Sequence, residues 1–375
     1  MKIAILIPTI KPGGAEKQAA LLAATLSEEN EVHFVSLWGK KNLSVIVQKF
    51  LALFEQQWGK KADRTEMLPA SGAARKYWRI YWNGEPCIAA WNRNVEENRL
   101  FIDFSRHFAE KGLHVPQIYA VSEDRKVYLQ EDLGTQTLLD VVGQERKGNS
   151  LSEHSMQLYR KSLSELLRFQ LIGGQGLDYA RCVPRPVFDR QCILWDLNYF
   201  KYCFLKLAGA DFSEQALEDD FVRLTDALVQ EPADSFMFRD FQSRNIMVRA
   251  GEVWFIDYQG GRQGALPYDV ASLLYDAIVA IPDEQREELL DGYICGLQTY
   301  RTVEPGLFRH AFYRFVLVRL LQAMGAFGLR GLYERKPHFI DSIQPGLHSI
   351  DRLFQSGRLG ADYAEIRRVC RQLLE

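Results

Sequence analysis

Asp240, Asn245 and Asp257 are the residues whose types and spacing could do chemistry. They stand in Phe238-Arg239-Asp240-Phe241-Gln242-Ser243-Arg244-Asn245 and, further on, in Val253-Trp254-Phe255-Ile256-Asp257-Tyr258-Gln259. An Asp, an Asn five residues later and a second Asp closing an apolar run are the polar parts of a phosphoryl-transfer site. That reaction needs a carboxylate that positions the attacking hydroxyl and accepts its proton, a task suited to Asp240. It also needs oxygen ligands for magnesium, a hard cation that keeps several waters beside one or two protein ligands. Asn245 and Asp257 suit that second task.

These side chains need elements to position them. Ile246–Val248 and Val253–Ile256 read as a hairpin around Ala250-Gly251, which would set Asn245 and Asp257 at its open ends. After the loop Gly260–Leu266, Tyr268-Asp269-Val270 opens a helix. Asp269 in its first turn could cap backbone N–H groups or brace the catalytic loop, a structural role. Further helices are expected over 155–172, 189–207, 283–301, 305–329 and 361–375. The aromatic residues of the second, Trp195, Tyr199, Phe200, Tyr202 and Phe204, are expected to pack in the core. Its Asp196, Asn198 and Lys201 are of the types that grip sugar hydroxyls.

Upstream, the spacing predicts a helix over 46–57, a strand after Leu68, a hairpin turn at Asn83-Gly84 and a return strand over 86–91. A helix over 95–111 ending at Gly112 and strands over 115–121 and 127–130 follow. The small-residue turn Ser71-Gly72-Ala73 could bring backbone N–H groups close to phosphates.

At 375 residues the chain has room for two domains or one two-lobed unit. Its 47% hydrophobic and 25% charged residues are those of a globular protein, and the formal charge of −2 favours neither nucleic acid nor an anionic membrane as partner. The six cysteines form no C-x-x-C pair and the seven histidines no H-E-x-x-H, so neither disulfides nor zinc are indicated. The most apolar long stretch, 311–329, carries Arg314, Arg319 and Gln322 and reads as a buried amphipathic helix. A cytoplasmic protein is expected.

The order of parts over residues 46–375 resembles the aminoglycoside phosphotransferase-like kinases. Within these it is most similar to kinases of the anomeric hydroxyl of N-acetylmuramate or N-acetylglucosamine. The matching pieces are Ser71-Gly72-Ala73-Ala74-Arg75-Lys76-Tyr77, Gly112-Leu113-His114-Val115-Pro116-Gln117-Ile118 and Leu129-Gln130-Glu131-Asp132-Leu133-Gly134. The resemblance implies an α+β, two-lobed protein-kinase-like fold, with a small β-rich N-lobe over 45–133 and a mostly helical C-lobe over 134–375. It implies ATP and magnesium as cofactors and a small-molecule acceptor. ATP would meet Ser71, Gly72, Ala73 and Arg75, with Glu131 and Leu133 at the hinge beside adenine. Asp196, Asn198, Lys201 and Arg330, with Arg239 and Gln259 beside the two Asp residues, are the candidate substrate contacts. An aminoglycoside, choline or homoserine acceptor would change only the acceptor pocket.

Two departures stand out. Where protein kinases carry a phosphate-binding lysine, this chain has Cys87-Ile88-Ala89-Ala90-Trp91-Asn92. Arg75, or failing it Arg79 or Arg93, is expected to supply the charge. Phe238 stands where a His is usual, a position that mainly shapes the loop.

Residues 1–44 form a separate piece. Lys2–Pro8 reads as a strand, Thr9–Gly14 as a loop, Ala15–Ser27 as a helix and Glu31–Leu37 as a second strand. Pro8-Thr9-Ile10-Lys11-Pro12-Gly13-Gly14-Ala15-Glu16-Lys17 resembles the opening of nucleotide-sugar glycosyltransferases with two Rossmann domains. The likeness stops near residue 42. One β-α-β unit cannot bury both faces of its sheet, so it reads as an appendage, with glycosyl transfer as the alternative activity.

Overall fold

The computed structural model describes residues 2–7, 31–69 and 75–375, with side chains from residue 43 onwards. The expected helix over 15–27 and the turn residues Ser71, Gly72 and Ala73 lie outside the described residues. The chain forms two compact units, one of Met1–Asn98 with Ile118–Asp132 and one of Arg99–Gln117 with Leu133–Glu375. The fold is α+β, as expected.

In the first unit, β1 (Lys2–Ile7) and β2 (Glu31–Ser36) pair in parallel. Helix α1 (Leu37–Trp58) follows β2 directly and so starts earlier than its apolar periodicity indicates. Its stripe Ile46, Phe50 and Phe54 packs with Trp78, Ile80, Ala89 and Leu129. The Phe50 and Trp78 ring centroids lie 5.2 Å apart. Burying a phenylalanine contributes about 1.5–3 kcal/mol, so this stripe holds α1 on the sheet.

That sheet is antiparallel and runs β3 (Arg64–Met67), β4 (Lys76–Trp82), β5 (Glu85–Trp91), β7 (Val127–Glu131), β6 (Ile118–Val121). Asn83 and Gly84 turn β4 into β5 with φ of 49° and 82°, the two left-handed residues of a type I′ turn. Strand β3 is fully exposed and has no apolar alternation, which is why no strand is expected there. Helix α2 (Val95–Glu110), which belongs to the second unit from Arg99 onwards, follows β5 in the chain and ends at Gly112, whose φ of 68° suits the expected C-cap.

The second unit contains α3 (Leu138–Glu145), α4 (Glu153–Arg168), α5 (Arg190–Phe200), α6 (Glu214–Leu228), α7 (Pro267–Leu274), α8 (Asp283–Gln298), α9 (Pro305–Phe327), α10 (Pro337–Asp341), α11 (Ile343–Gln355) and α12 (Ala364–Gln372). Of these, α3, α6, α10 and α11 are additions to the sequence reading. Two short antiparallel ladders join β8 (Ser235–Met237) to β11 (Arg262–Gly264) and β9 (Ile246–Arg249) to β10 (Glu252–Phe255).

Helix α9 is not amphipathic as expected. Its buried residues run around the whole helix because α5, α7 and α11 all pack on it. By length and composition alone it could cross a membrane, yet here it is a core helix. Its Arg319, 5% exposed, donates to Ser272 Oγ at 3.0 Å. The aromatic residues of 189–207 also differ from expectation. Phe200 and Phe204 are buried, but Trp195 and Tyr202 are 45% and 58% exposed, because helical spacing splits them between two faces.

Candidate active site

The loop carrying Asp240 is pinned at both ends. Strand β8 enters it, paired through Met237 with Arg262 of β11. It leaves through a short turn, Ser243–Asn245, into β9. Strand β10 then returns along β9, with Ile246 opposite Phe255, and releases the chain at Asp257. Ala250 and Gly251, φ 52° and 77°, make the expected hairpin turn.

Asn245 joins the two segments. Its Nδ2 donates to the Asp240 carbonyl at 2.9 Å and lies 3.4 Å from Asp257 Oδ2. The Asn245 carbonyl accepts from the Ile256 N–H at 3.1 Å. Gln259 Nε2 donates to Asp257 Oδ1 at 2.7 Å, which places Gln259 as the residue that orients Asp257. Asp240 itself is exposed. Asn245 thus spends its N–H₂ on both segments and keeps its amide oxygen for another partner. That oxygen and the Asp257 carboxylate form a hard donor set of the kind magnesium takes.

Two site residues hold left-handed backbones that non-glycine residues rarely adopt, Arg239 at φ 81° and Asp257 at φ 65°. Such strain persists only where the surroundings over-determine it. For Arg239 the constraint is Asp269, fully buried, which accepts from the Phe238 N–H at 2.7 Å and the Arg239 N–H at 3.1 Å. Asp269 therefore braces the loop. Burial pushes its carboxyl up to about 7 against the pull of those two N–H groups and of Arg319.

Phe238 is 2% exposed and sits among Phe169, Phe236, Phe241 and Phe255, so the residue in the usual His position extends the core beneath the loop. Tyr258, next to Asp257, is fully buried. Its ring stacks on Phe101 at 4.9 Å, and its hydroxyl shares a 2.5 Å hydrogen bond with Ser105. Ser243 Oγ donates to Asp276 Oδ2 at 2.7 Å, a further clamp on the turn that carries Asn245. Nothing in local sequence signals these tethers, whose partners lie 153 and 33 residues away.

The remaining expected site residues have varied partners. Arg239 donates to Asp196 Oδ2 at 2.6 Å, pairs with its Oδ1, and reaches the Tyr268 hydroxyl. Its guanidinium carbon lies 5.0 Å from the Phe188 ring and 5.3 Å from the Tyr268 ring. Asn198 Nδ2 bonds the Leu194 carbonyl of its own helix at 2.9 Å. Lys201, 4% exposed, is held by Glu218 at 2.7 Å and Glu214 at 2.5 Å. Asp196, Asn198 and Lys201 thus do not converge. Arg330 lies 3.5 Å from Glu334, on the π-helical turn after α9.

In the first unit, Arg75 is 4% exposed. Its Nη2 lies 3.7 Å from Glu97 Oε2 and its Nη1 3.4 Å from the Tyr77 hydroxyl. Asn92 Nδ2 donates to the same Glu97 oxygen at 2.8 Å. Arg79 is paired instead with Asp132, Nη2 to Oδ1 at 3.0 Å, just beyond Glu131. Leu133 is buried.

Comparison with known proteins bears on this geometry. Residues 67–305 match the phosphotransferase enzyme family. The N-acetylmuramate/N-acetylglucosamine kinase of Pseudomonas aeruginosa is 28% identical over 244 residues, 63% of this chain and 67% of that protein. Among solved structures, the Plasmodium vivax ethanolamine kinase superposes with a TM-score of 0.56 at 13% identity, covering 92% of this chain and 95% of its own. An amicoumacin kinase in complex with AMP-PNP and Ca2+ gives a TM-score of 0.55 at 14% identity, covering 86% and 97%.

Proposed function

We propose a specific activity for this chain, which belongs to the phosphotransferase enzyme family and is a small-molecule kinase. The donor is ATP, the metal is magnesium, and the acceptor is an amino sugar phosphorylated on its anomeric hydroxyl. The observation that carries the reading is Asn245 bonded to the Asp240 carbonyl and set 3.4 Å from Asp257. This puts a base candidate and a metal-ligand pair on two neighbouring, anchored loops. The name of the Pseudomonas aeruginosa relative supports the amino-sugar acceptor.

In this reading the Asp240 carboxylate aligns the acceptor hydroxyl and takes its proton as the oxygen attacks. Asn245 and Asp257 would hold magnesium through their oxygens, with Gln259 fixing the Asp257 carboxylate. When bound, that ion supplies charge neutralisation on the nucleotide phosphates. Asp269 holds the backbone at Phe238 and Arg239, so Asp240 leaves the core at a fixed angle. Asp196 keeps the neighbouring Arg239 guanidinium ion-paired, and in this reading that holds it off the Asp240 carboxylate. In the first unit, Arg75 supplies positive charge for the nucleotide phosphates, steadied by Glu97. In this reading the chemistry uses none of residues 1–44.

The test is ADP release across a panel of amino sugars and amino alcohols, with and without magnesium. Magnesium-dependent release with an N-acetylated amino sugar is expected. Release with none of the panel would overturn the reading.

A further inference from the structure

A cleft in the helical unit is lined by three arginines. It lies between the end of α7, α8 and α11, and Arg286, Arg352 and Arg358 line it together with Ser349 and Ser356. Arg286 is only 9% exposed. Its guanidinium carbon stacks 3.9 Å from the Tyr275 ring, its Nη1 lies 3.2 Å from Asp283 Oδ1, its Nη2 donates to the Ile281 carbonyl, and its buried Nε meets no acceptor among the described residues. Arg358 Nη1 lies 2.9 Å from Glu287 Oε1, a carboxylate shared with Arg309 and Tyr313. Arg352 forms no ion pair among the described residues, and its Nη2 donates to Ser349 Oγ at 3.3 Å.

The charges are unbalanced. Three guanidinium groups face a space where Asp283 and a shared Glu287 are the acidic neighbours. The serine hydroxyls give their protons to the Pro345 and Leu353 carbonyls, so the donors left for a ligand are guanidinium N–H groups. Leaving a buried N–H without an acceptor is costly, and gathering like charges adds to that. A tetrahedral dianion answers both costs, because guanidinium forks match the spacing of phosphate oxygens.

We propose that this cleft binds a phosphate group, as inorganic phosphate or as a sugar phosphate ester. Tyr275, its aromatic wall, precedes Asp276, the residue that clamps Ser243 in the turn carrying Asn245. The cleft thus adjoins the catalytic segment without sharing a residue with it.

The test is calorimetric titration of the full chain with inorganic phosphate and, separately, with a hexose 1-phosphate. It uses an Asp240→Asn background and contains neither nucleotide nor acceptor. A hexose 1-phosphate is also the type of product that the proposed kinase would release, so Arg352→Glu, outside that site, separates binding in the cleft from binding at the active site. Saturable binding is expected, weakened at least about tenfold by Arg352→Glu. Because Arg352 is exposed and outside any ion pair described, and its replacement relieves like charge in the cleft, the unliganded melting temperature should not fall. Within the binding that Arg352→Glu weakens, tighter binding of the ester assigns the cleft to a sugar phosphate, and tighter or equal binding of phosphate assigns it to the free ion. No binding at millimolar phosphate, or equal binding by Arg352→Glu, overturns the proposal.

Discussion

Removing the Asp196 carboxylate should destabilise the helical unit out of proportion to the atoms lost. Asp196 is 5% exposed, and the Arg239 side chain 17%. The pair makes two charge-assisted hydrogen bonds, flanked by the Phe188 and Tyr268 rings. In Asp196→Ala the Arg239 charge stays in this low-dielectric setting without its paired carboxylate, left with the Tyr268 hydroxyl, two ring faces and the unbonded charge of Asp240. Breaking one side of a buried pair costs about 3–5 kcal/mol, whereas replacing both partners with apolar groups of similar volume is near neutral. Urea unfolding followed by circular dichroism should therefore show a loss of about 3–5 kcal/mol in Asp196→Ala. Most of it should return in Asp196→Leu/Arg239→Met. Turnover should fall in both, because Arg239 adjoins Asp240 and its strained backbone lies in the same loop. A single-variant loss below about 1 kcal/mol, or a double variant no better than the single, would refute the reasoning.

Further outcomes follow from the same geometry. Asp240→Asn should keep nucleotide affinity while turnover falls by about two to four orders of magnitude in an ADP-release assay. Asp257→Asn should raise the magnesium concentration needed for half-maximal rate, and Gln259→Ala should do so more mildly. Arg75→Ala should raise the KM for ATP, and an unchanged KM and kcat would remove Arg75 from the site. Asp269 gives a pH signature. Its folded-state value near 7 lies above the ordinary 3.8, so between those limits the folded chain binds more protons than the unfolded one. The contribution of Asp269 to stability should therefore be fully present below about pH 4, fall by at most roughly 4 kcal/mol as pH rises to 7, then level off. Asp269→Asn should flatten that slope in denaturation curves taken across the range.

Some features were legible because they are local. The Ala250-Gly251 and Asn83-Gly84 turns announce their hairpins, since left-handed backbone at both positions is what a type I′ turn demands. Asn245 and Asp257 follow from the first of these, because a ladder of fixed register puts its two open ends side by side. The spread of buried residues around every face of α9 was not legible. Its arginines look like one polar edge of an amphipathic helix until Arg319 is seen to be buried and donating to Ser272 inside the core. Lys201 reads as a ligand for sugar hydroxyls until Glu214 and Glu218 are brought against it.

By itself the sequence determined which atoms could do the chemistry: a carboxylate, an amide oxygen and a second carboxylate at a spacing that one hairpin turns into proximity. It also determined the α+β order of parts, because helical and strand periodicities are written within a few residues. Only the tertiary structure decided what those atoms lean on. Asp269 under Phe238 and Arg239, Asp196 on Arg239, Asp276 on Ser243 and Ser105 on Tyr258 join residues 30 to 153 positions apart. Spacing along a chain carries no record of such meetings, which arise when buried polar groups must find partners in the packed core.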